Sequence, residues 1–111
     1  MKKDIELLKH ISTDIRDILI YTADLSFDDF ILNSMVRKAV CMSLINIGEL
    51  TKTLSPAFKT KNKQIPWKSI SGLRDITAHK YHTLNLDIVW SVVVNDIPKL
   101  NNFIINYLSD S

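Results

Sequence analysis

The chain has 111 residues, of which 46% are hydrophobic, and its formal net charge is +2. This length is sufficient for one hydrophobic core and too short for two, so we treat residues 1–111 as a single domain. The small net charge excludes a strongly polybasic binder, and the single cysteine excludes an intrachain disulfide and a cysteine-based zinc cluster.

The first predicted helix extends to about Thr22. Apolar residues recur at intervals of three and four from Ile5 to Leu19, and charged residues fill the opposite face. No window approaches the roughly 18 to 20 apolar residues of a membrane span, and the N-terminus is unlike a signal peptide. We therefore expect a cytoplasmic protein with no membrane segment. His10 falls on the polar side of this helix, as an ordinary surface histidine would.

A short helix is predicted next. Ser26 or Asp24 can cap it, because Asp28 and Asp29 then lie in the first turn, where the helix dipole favours acids. The pattern predicts a break near Asn33.

A long helix follows, with apolar periodicity from Val36 to Leu54. Gly48 destabilises the interior of a helix, so we expect a neighbouring backbone to approach closely there. Glu49 is interpreted as a structural partner for a nearby cation and only secondarily as part of a site. Cys41 lies among core-forming residues and is expected to be a buried thiol rather than a nucleophile.

The apolar pattern in the second half of the chain predicts two further helices. Residues 55–67, "SPAFKTKNKQIPW", are expected to form an irregular connection. A third long helix opens at Pro66, and the last one begins near Asn85 and is bent by Pro98. Trp67 and Trp90 lie on apolar stripes, which favours core packing over stacking on bases.

The predicted fold class is therefore all-α. Helices joined by short loops pack as an antiparallel four-helix bundle, here with a possible short fifth helix.

One run of the third helix, "LRDITAHKY" at residues 73–81, combines side chains that suit phosphodiester cleavage. The planar fork of Arg74 can bind a phosphate, and His79 can take or give a proton near neutral pH. Asp75 stands four residues before His79, a spacing at which a carboxylate can orient an imidazole. On RNA the ribose hydroxyl is an internal nucleophile, so an enzyme could dispense with a metal ion if a base removes its proton and a cation stabilises the charge that builds on phosphorus.

An ordinary structural explanation of the same run is also open. A histidine is favoured at a helix C-terminus, arginine commonly pairs with aspartate, and tyrosine is a frequent boundary residue. The excess of positive charge from Lys52 to Lys80 would attract a polyanion, but it also fits a solvated lysine-rich loop.

Three segments, "INIGELTKTLS", "IPWKSISGLRDITAHKY" and "LDIVWSVVVNDIPKL", together resemble the HepT-like branch of the HEPN superfamily in their order and spacing. The match extends from Val36 to Leu108. The resemblance implies a homodimeric helical bundle in which the motifs of two subunits line a shared cleft. It further implies a metal-independent endoribonuclease that is the toxin of a toxin–antitoxin pair, with a small MntA-like nucleotidyltransferase as the antitoxin.

The resemblance also assigns roles to individual residues. Arg74 would bind and stabilise the scissile phosphate, and His79 would act as general base or acid. Asp75 would hold the site together. Tyr81 matches the tyrosine that such antitoxins modify with adenylate groups, where a bulky anion would block the cleft and repel RNA.

Two positions depart from the family pattern. Asp75 stands where asparagine is commoner, and its charge opposes RNA, whereas Lys80 stands where glycine is common and partly offsets that charge. Lys80 and Lys68 are candidate RNA contacts. The three histidines lack metal-binding spacing, and His82 has no family counterpart, so no metal or other cofactor is expected.

Two other functions remain open from the sequence. The chain could be a non-catalytic module that docks on a nucleotidyltransferase, as some HEPN relatives do. It could also be a helical bundle that binds nucleotides without catalysis, with Arg74 and the lysines of residues 59–68 holding phosphate.

Overall fold

The computed structural model describes residues 2–75 and 86–110, and the regular elements within these ranges are helices. They are α1 (Lys2–Thr22), α2 (Phe27–Leu32), α3 (Ser34–Thr53), α4 (Pro56–Lys61), α5 (Trp67–Ser71), α6 (Leu86–Ser91), a π-helical turn (Val92–Asp96) and α7 (Ile97–Asp110). The predicted all-α fold class is confirmed.

The two longest helices, α1 and α3, lie antiparallel and side by side. The carboxylate of Asp4 accepts hydrogen bonds from the backbone N–H (2.8 Å) and the hydroxyl (2.7 Å) of Ser55. Ten residues further along α1, Asp14 lies beside Asn46 of α3, and both line one groove. Residue numbers rise along one helix as they fall along the other, and the bonds between Asp4 and Ser55 fix the register of the pair.

The corner between α2 and α3 follows the sequence pattern closely. Ser26 caps α2 in a capping box with Asp29, while Asp24 adopts a positive φ of 62° in the preceding turn. Asn33 ends α2 and also caps α3, its side chain accepting from the N–H of Val36 at 3.0 Å. The predicted break near Asn33 is confirmed.

The connection after α3 is more regular than predicted, because it contains α4. The Ser55 hydroxyl accepts from the N–H of Phe58 at 3.2 Å, and Pro56 occupies the first turn, where its missing N–H is no loss. Phe58 is buried and anchors this short helix in the core. The prediction of an irregular connection was wrong because a helix of one and a half turns carries only one apolar anchor.

The third helix is also shorter than predicted. It ends at Ser71, and the N–H of Gly72 donates to the carbonyl of Lys68 at 3.1 Å. Residues 73–75 are again helical. Trp67, Ile70 and Leu73 of the predicted stripe are buried, whereas Ile76 lies outside the described residues.

Pro98 is predicted to bend the last helix, and the structure has a π-helical turn directly before this proline. The N–H of Ile97 donates to the carbonyl of Val92, five residues back. Pro98 has no N–H for the carbonyl of the fourth residue before it, and a wider turn accommodates this missing bond.

The core is one cluster that receives side chains from every helix. Its aromatic members form two groups. Phe58 contacts Trp67 and Tyr107, and Phe30 contacts Trp90 with ring centroids 5.0 Å apart. Core packing of both tryptophans is confirmed. Within residues 2–75 and 86–110, no helix combines the length and apolar character that a membrane-spanning segment requires.

Candidate functional site

Arg74 lies where the chain leaves α5 and crosses the C-terminal third of α3, at Gly48. A Cβ atom placed on Gly48 would lie 2.8 Å from the backbone nitrogen of Arg74 and 3.1 Å from the carbonyl oxygen of Ser71. Real Cβ atoms do not approach a backbone this closely, so only glycine permits the contact. The predicted close approach at Gly48 is confirmed, and the neighbour is the segment that carries the candidate arginine.

The side chain of Arg74 is held between two carboxylates. Its Nη1 lies 3.3 Å from Glu49 Oε1, and its Nε lies 3.6 Å from Asp75 Oδ1. The Arg74 side chain is 31% exposed, against 55% for Glu49 and 62% for Asp75. Exposed pairs at such distances contribute little, about 0 to 1 kcal/mol, so an incoming phosphate can compete with either acid.

Two consecutive residues of α3 therefore position Arg74. Gly48 admits its backbone, and Glu49 orients its guanidinium. The predicted role of Glu49 as a structural partner for a cation is confirmed.

An open groove continues from Glu49 along the surface between α1 and α3. Six residues line it: His10, Thr13, Asp14, Asn46, Glu49 and Leu50. Burial raises the pKa of Asp14, and the nearby charge of Asp17 acts in the same direction. The hydrogen bond from Asn46 and the charge of His10 oppose that rise without cancelling it.

The other predicted site residues are placed as follows. Lys68 lies on α5 and is exposed. His79, Lys80 and Tyr81 lie outside the described residues, as does His82. The convergence of Arg74 with His79 therefore stays a prediction.

Neither a metal site nor a reactive thiol is found in the described part of the chain. There, no three histidine, cysteine, aspartate or glutamate side chains are grouped to hold a metal ion. Cys41 is buried, which raises the pKa of its thiol, although the charge of Arg37 acts against this rise. The interpretation of Cys41 as a core residue is confirmed.

Asp14 and Asn46 were not singled out from the sequence. Two spacings in the sequence indicate the polar faces that line the groove. His10 and Asp14 are four residues apart on α1, and Asn46 and Glu49 are three residues apart on α3. Each spacing places two polar residues on one helix face. The sequence does not indicate that these two faces adjoin.

Comparisons with known proteins point to one family. The model of the family described as Ribonuclease HepT-like matches residues 11–106. A protein of Methanocaldococcus jannaschii, whose name describes a proposed RNase, is 40% identical over 98 residues, covering 87% of this chain and 81% of its own. A protein of Caldanaerobacter subterraneus with a similar name is 34% identical over 100 residues, covering 90% of this chain and 89% of its own.

A further relative, from Thermococcus cleftensis, is named "Probable ribonuclease HepT". It is 32% identical over 95 residues, which cover 86% of each chain. No solved structure matches this chain significantly.

Proposed function

This chain belongs to the HepT-like ribonuclease family, and on that premise we propose that it is a metal-independent endoribonuclease in which Arg74 and His79 act on one phosphate of RNA. The observation that carries the proposal is the docking of Arg74 on α3, where Gly48 admits its backbone and Glu49 orients its guanidinium. An arginine held in this way at a surface is preorganised for an anion.

The chemistry uses the ribose as its own nucleophile. His79 removes the proton of the 2′-hydroxyl, whose oxygen attacks the adjacent phosphorus. The bond from phosphorus to the 5′-oxygen breaks, and that oxygen takes up a proton as it leaves. The products are a 2′,3′-cyclic phosphate and a 5′-hydroxyl, while Arg74 stabilises the negative charge that builds on the phosphate oxygens.

Binding of RNA requires Arg74 to exchange its partners. Its contacts with Glu49 and Asp75 at 3.3 and 3.6 Å are long and partly solvent-exposed. A phosphate that displaces Asp75 gains the charge-assisted hydrogen bonds of the guanidinium, while Glu49 keeps the side chain aligned. Asp75 then supports the site by orienting His79.

The biological setting is proposed from the family resemblance. The protein is the cytoplasmic toxin of a toxin–antitoxin pair, and an MntA-like nucleotidyltransferase neutralises it by adding adenylate to Tyr81. Lys68 is exposed on α5 and is available to an RNA backbone. Lys80 is proposed from the sequence as a second contact.

Two copies of the chain form the functional unit in this proposal. Leu32, Met35 and Met42 are large, exposed and apolar. Met35, Met42 and Glu49 follow each other at intervals of seven on α3, so one face of the helix leads from the apolar side chains to the site. An apolar surface in this position supports a homodimer whose two sites share a cleft.

Incubation of the purified protein with a defined RNA in the presence of a chelator tests the activity. We expect fragments with 2′,3′-cyclic phosphate ends, and we expect Arg74→Ala or His79→Ala to reduce the rate by a factor of at least about 100. Arg16→Ala is the matched control, because it removes the same charge from an exposed position on α1. Intact RNA after incubation with the unmodified protein, or equal cleavage by all three variants, contradicts the proposal.

A non-catalytic module that docks on a nucleotidyltransferase is the second candidate. The pairing of Arg74 with its neighbour Asp75 favours it, since an acid beside the arginine opposes a phosphate. This function requires complex formation that His79→Ala leaves unchanged, with no cleavage by the wild-type protein. Adenylate on Tyr81 after co-expression, detected by mass spectrometry, decides against it.

A further inference from the structure

We propose that the groove between α1 and α3 is a nucleobase subsite that selects the base next to the phosphate held by Arg74, with guanine as the best fit. The inference rests on the proposed function, because it takes Arg74 as the phosphate-binding residue. It adds a specificity site whose central group is the carboxylate of Asp14.

The groove is directly continuous with the candidate site. Glu49 lines it and also accepts the hydrogen bond of Arg74 at 3.3 Å. A strand whose phosphate lies on Arg74 therefore brings its neighbouring nucleotide to the mouth of the groove. The open space measures about 400 Å³, which falls within the range of small-ligand sites and accommodates one base.

The charges of the groove disfavour a second phosphate. Asp14 and Glu49 line it, and Asp17 lies close enough to affect the titration of Asp14. Its six lining residues include no lysine or arginine, and the only cationic group among them is the imidazole of His10 when protonated. A phosphate would meet two carboxylates, whereas a neutral base would not be repelled.

The hydrogen-bonding groups fit a base that presents donors. Asp14 is half-buried and lines the groove beside Asn46. A carboxylate accepts two parallel hydrogen bonds, and guanine presents its N1–H and N2–H groups side by side on the Watson–Crick edge. The other bases present one donor group on that edge, beside acceptors that a carboxylate repels. In single-stranded RNA these edges are open to a protein.

Binding is measured first, with substrates that cannot be cut. Short single-stranded deoxyuridine oligonucleotides, carrying one central guanine, adenine, cytosine or uracil, lack the 2′-hydroxyl nucleophile. We expect the wild-type protein to bind the guanine form about tenfold more tightly than the others, as for one good bidentate contact to a base. Asp14→Asn is expected to reduce this preference to within about twofold.

Asp17→Asn is the matched control, because it removes the same charge from the same helix at a residue that does not line the groove. It should keep the guanine preference while raising the affinity for all four oligonucleotides. Circular dichroism and thermal unfolding check that both variants fold. If Asp14→Asn fails to fold, the base preference of the wild-type protein still tests the subsite.

Mapping of cut positions in an RNA of mixed sequence provides the second measurement. Guanine should be enriched beside the cleavage sites of the wild-type protein and of Asp17→Asn, and the enrichment should be lost in Asp14→Asn. Equal affinity of the wild-type protein for the four oligonucleotides, or the same base preference in both variants, overturns the subsite. Cleavage without a base preference would defeat the subsite alone, whereas a guanine preference in binding without any cleavage would defeat only the proposed activity.

Discussion

Gly48 leaves the space in which the backbone of Arg74 lies against α3. Gly48→Ala would place a methyl group 2.8 Å from the backbone nitrogen of Arg74. Because this neighbour is backbone rather than a flexible side chain, the segment must move. We expect a loss of about 1 to 3 kcal/mol in the free energy of unfolding, as for overpacking, together with a large loss of RNA cleavage. Chemical denaturation and cleavage assays measure the two effects.

Gly72→Ala is the control for this substitution. Gly72 has an ordinary helical φ of −69°, and the nearest atoms to an added Cβ lie at 3.4 and 3.5 Å. This variant should be neutral or more stable by up to about 1 kcal/mol, since alanine restricts the unfolded chain. A Gly48→Ala protein as stable and active as Gly72→Ala would refute the assigned role of Gly48.

Thr51 presents the opposite case, a polar group that lies in the core. It is fully buried, and its hydroxyl has no hydrogen-bond partner in the described part of the chain. Thr51→Val keeps the branched shape and removes the cost of an unsatisfied hydroxyl, so we expect a gain of about 1 to 2 kcal/mol in the free energy of unfolding. Thr53→Val should show no gain, because the exposed Thr53 hydroxyl already donates to the carbonyl of Glu49 at 3.0 Å.

At the scale of elements, Asp4 and Ser55 join the start of α1 to the junction of α3 and α4. Ser55 donates its N–H and hydroxyl to Asp4, and the same hydroxyl oxygen accepts from the N–H of Phe58. One relay thereby fixes three helix ends. Burial by itself would raise the pKa of Asp4, but the two hydrogen bonds from Ser55 and the positive charges of Lys3 and the N-terminus outweigh it, and the pKa is lowered.

The lowered pKa of Asp4 determines whether the free energy of unfolding rises or falls with pH. The Asp4 carboxylate contributes its full stabilisation above the unfolded pKa, about 3.9, and this is lost as the pH falls through the lower pKa of the folded state. Asp4→Asn should reduce the free energy of unfolding at pH 7 by about 1 to 3 kcal/mol and flatten its decline in acid. Thermal unfolding from pH 2 to 7 measures both, with the exposed Glu6→Gln as the control. Parallel curves for the wild-type protein and Asp4→Asn would contradict the relay.

At the scale of the whole molecule, the two aromatic groups lie in one continuous core. Trp67 packs with Phe58 and Phe103, whereas Trp90 packs with Phe27 and Phe30. Trp67→Phe and Trp90→Phe leave one fluorescent reporter in each group. If the chain is a single domain, as its length predicts, it unfolds cooperatively, and fluorescence and circular dichroism should give coincident transitions within each variant. Separate fluorescence and circular dichroism transitions in either variant would show that its two ends unfold independently.

The sequence predicted the molecule best where local chemistry decides the structure. The break at Asn33, the cap at Ser26, which was one of two candidates, and the close approach at Gly48 each follow from the preference of one residue type. The helix α4 and the end of α5 at Ser71 depend on tertiary packing, which periodicity does not report. At the site, Glu49 was predicted to pair with a cation, but the sequence did not identify Arg74 as that cation. The groove was not predicted, because the residues of its two walls are more than 30 positions apart in the sequence.

The two acids around Arg74 also affect which anions the protein can retain. A small univalent ion such as chloride gains little binding energy at a guanidinium that already forms ion pairs with Glu49 and Asp75. A polymer binds through several phosphates at once and releases its own condensed counterions, so it can displace an internal partner that a single ion cannot. If Arg74 is the phosphate-binding residue, as proposed above, the resting ion pairs act as a threshold that favours long nucleic acids over the abundant small anions of a cell.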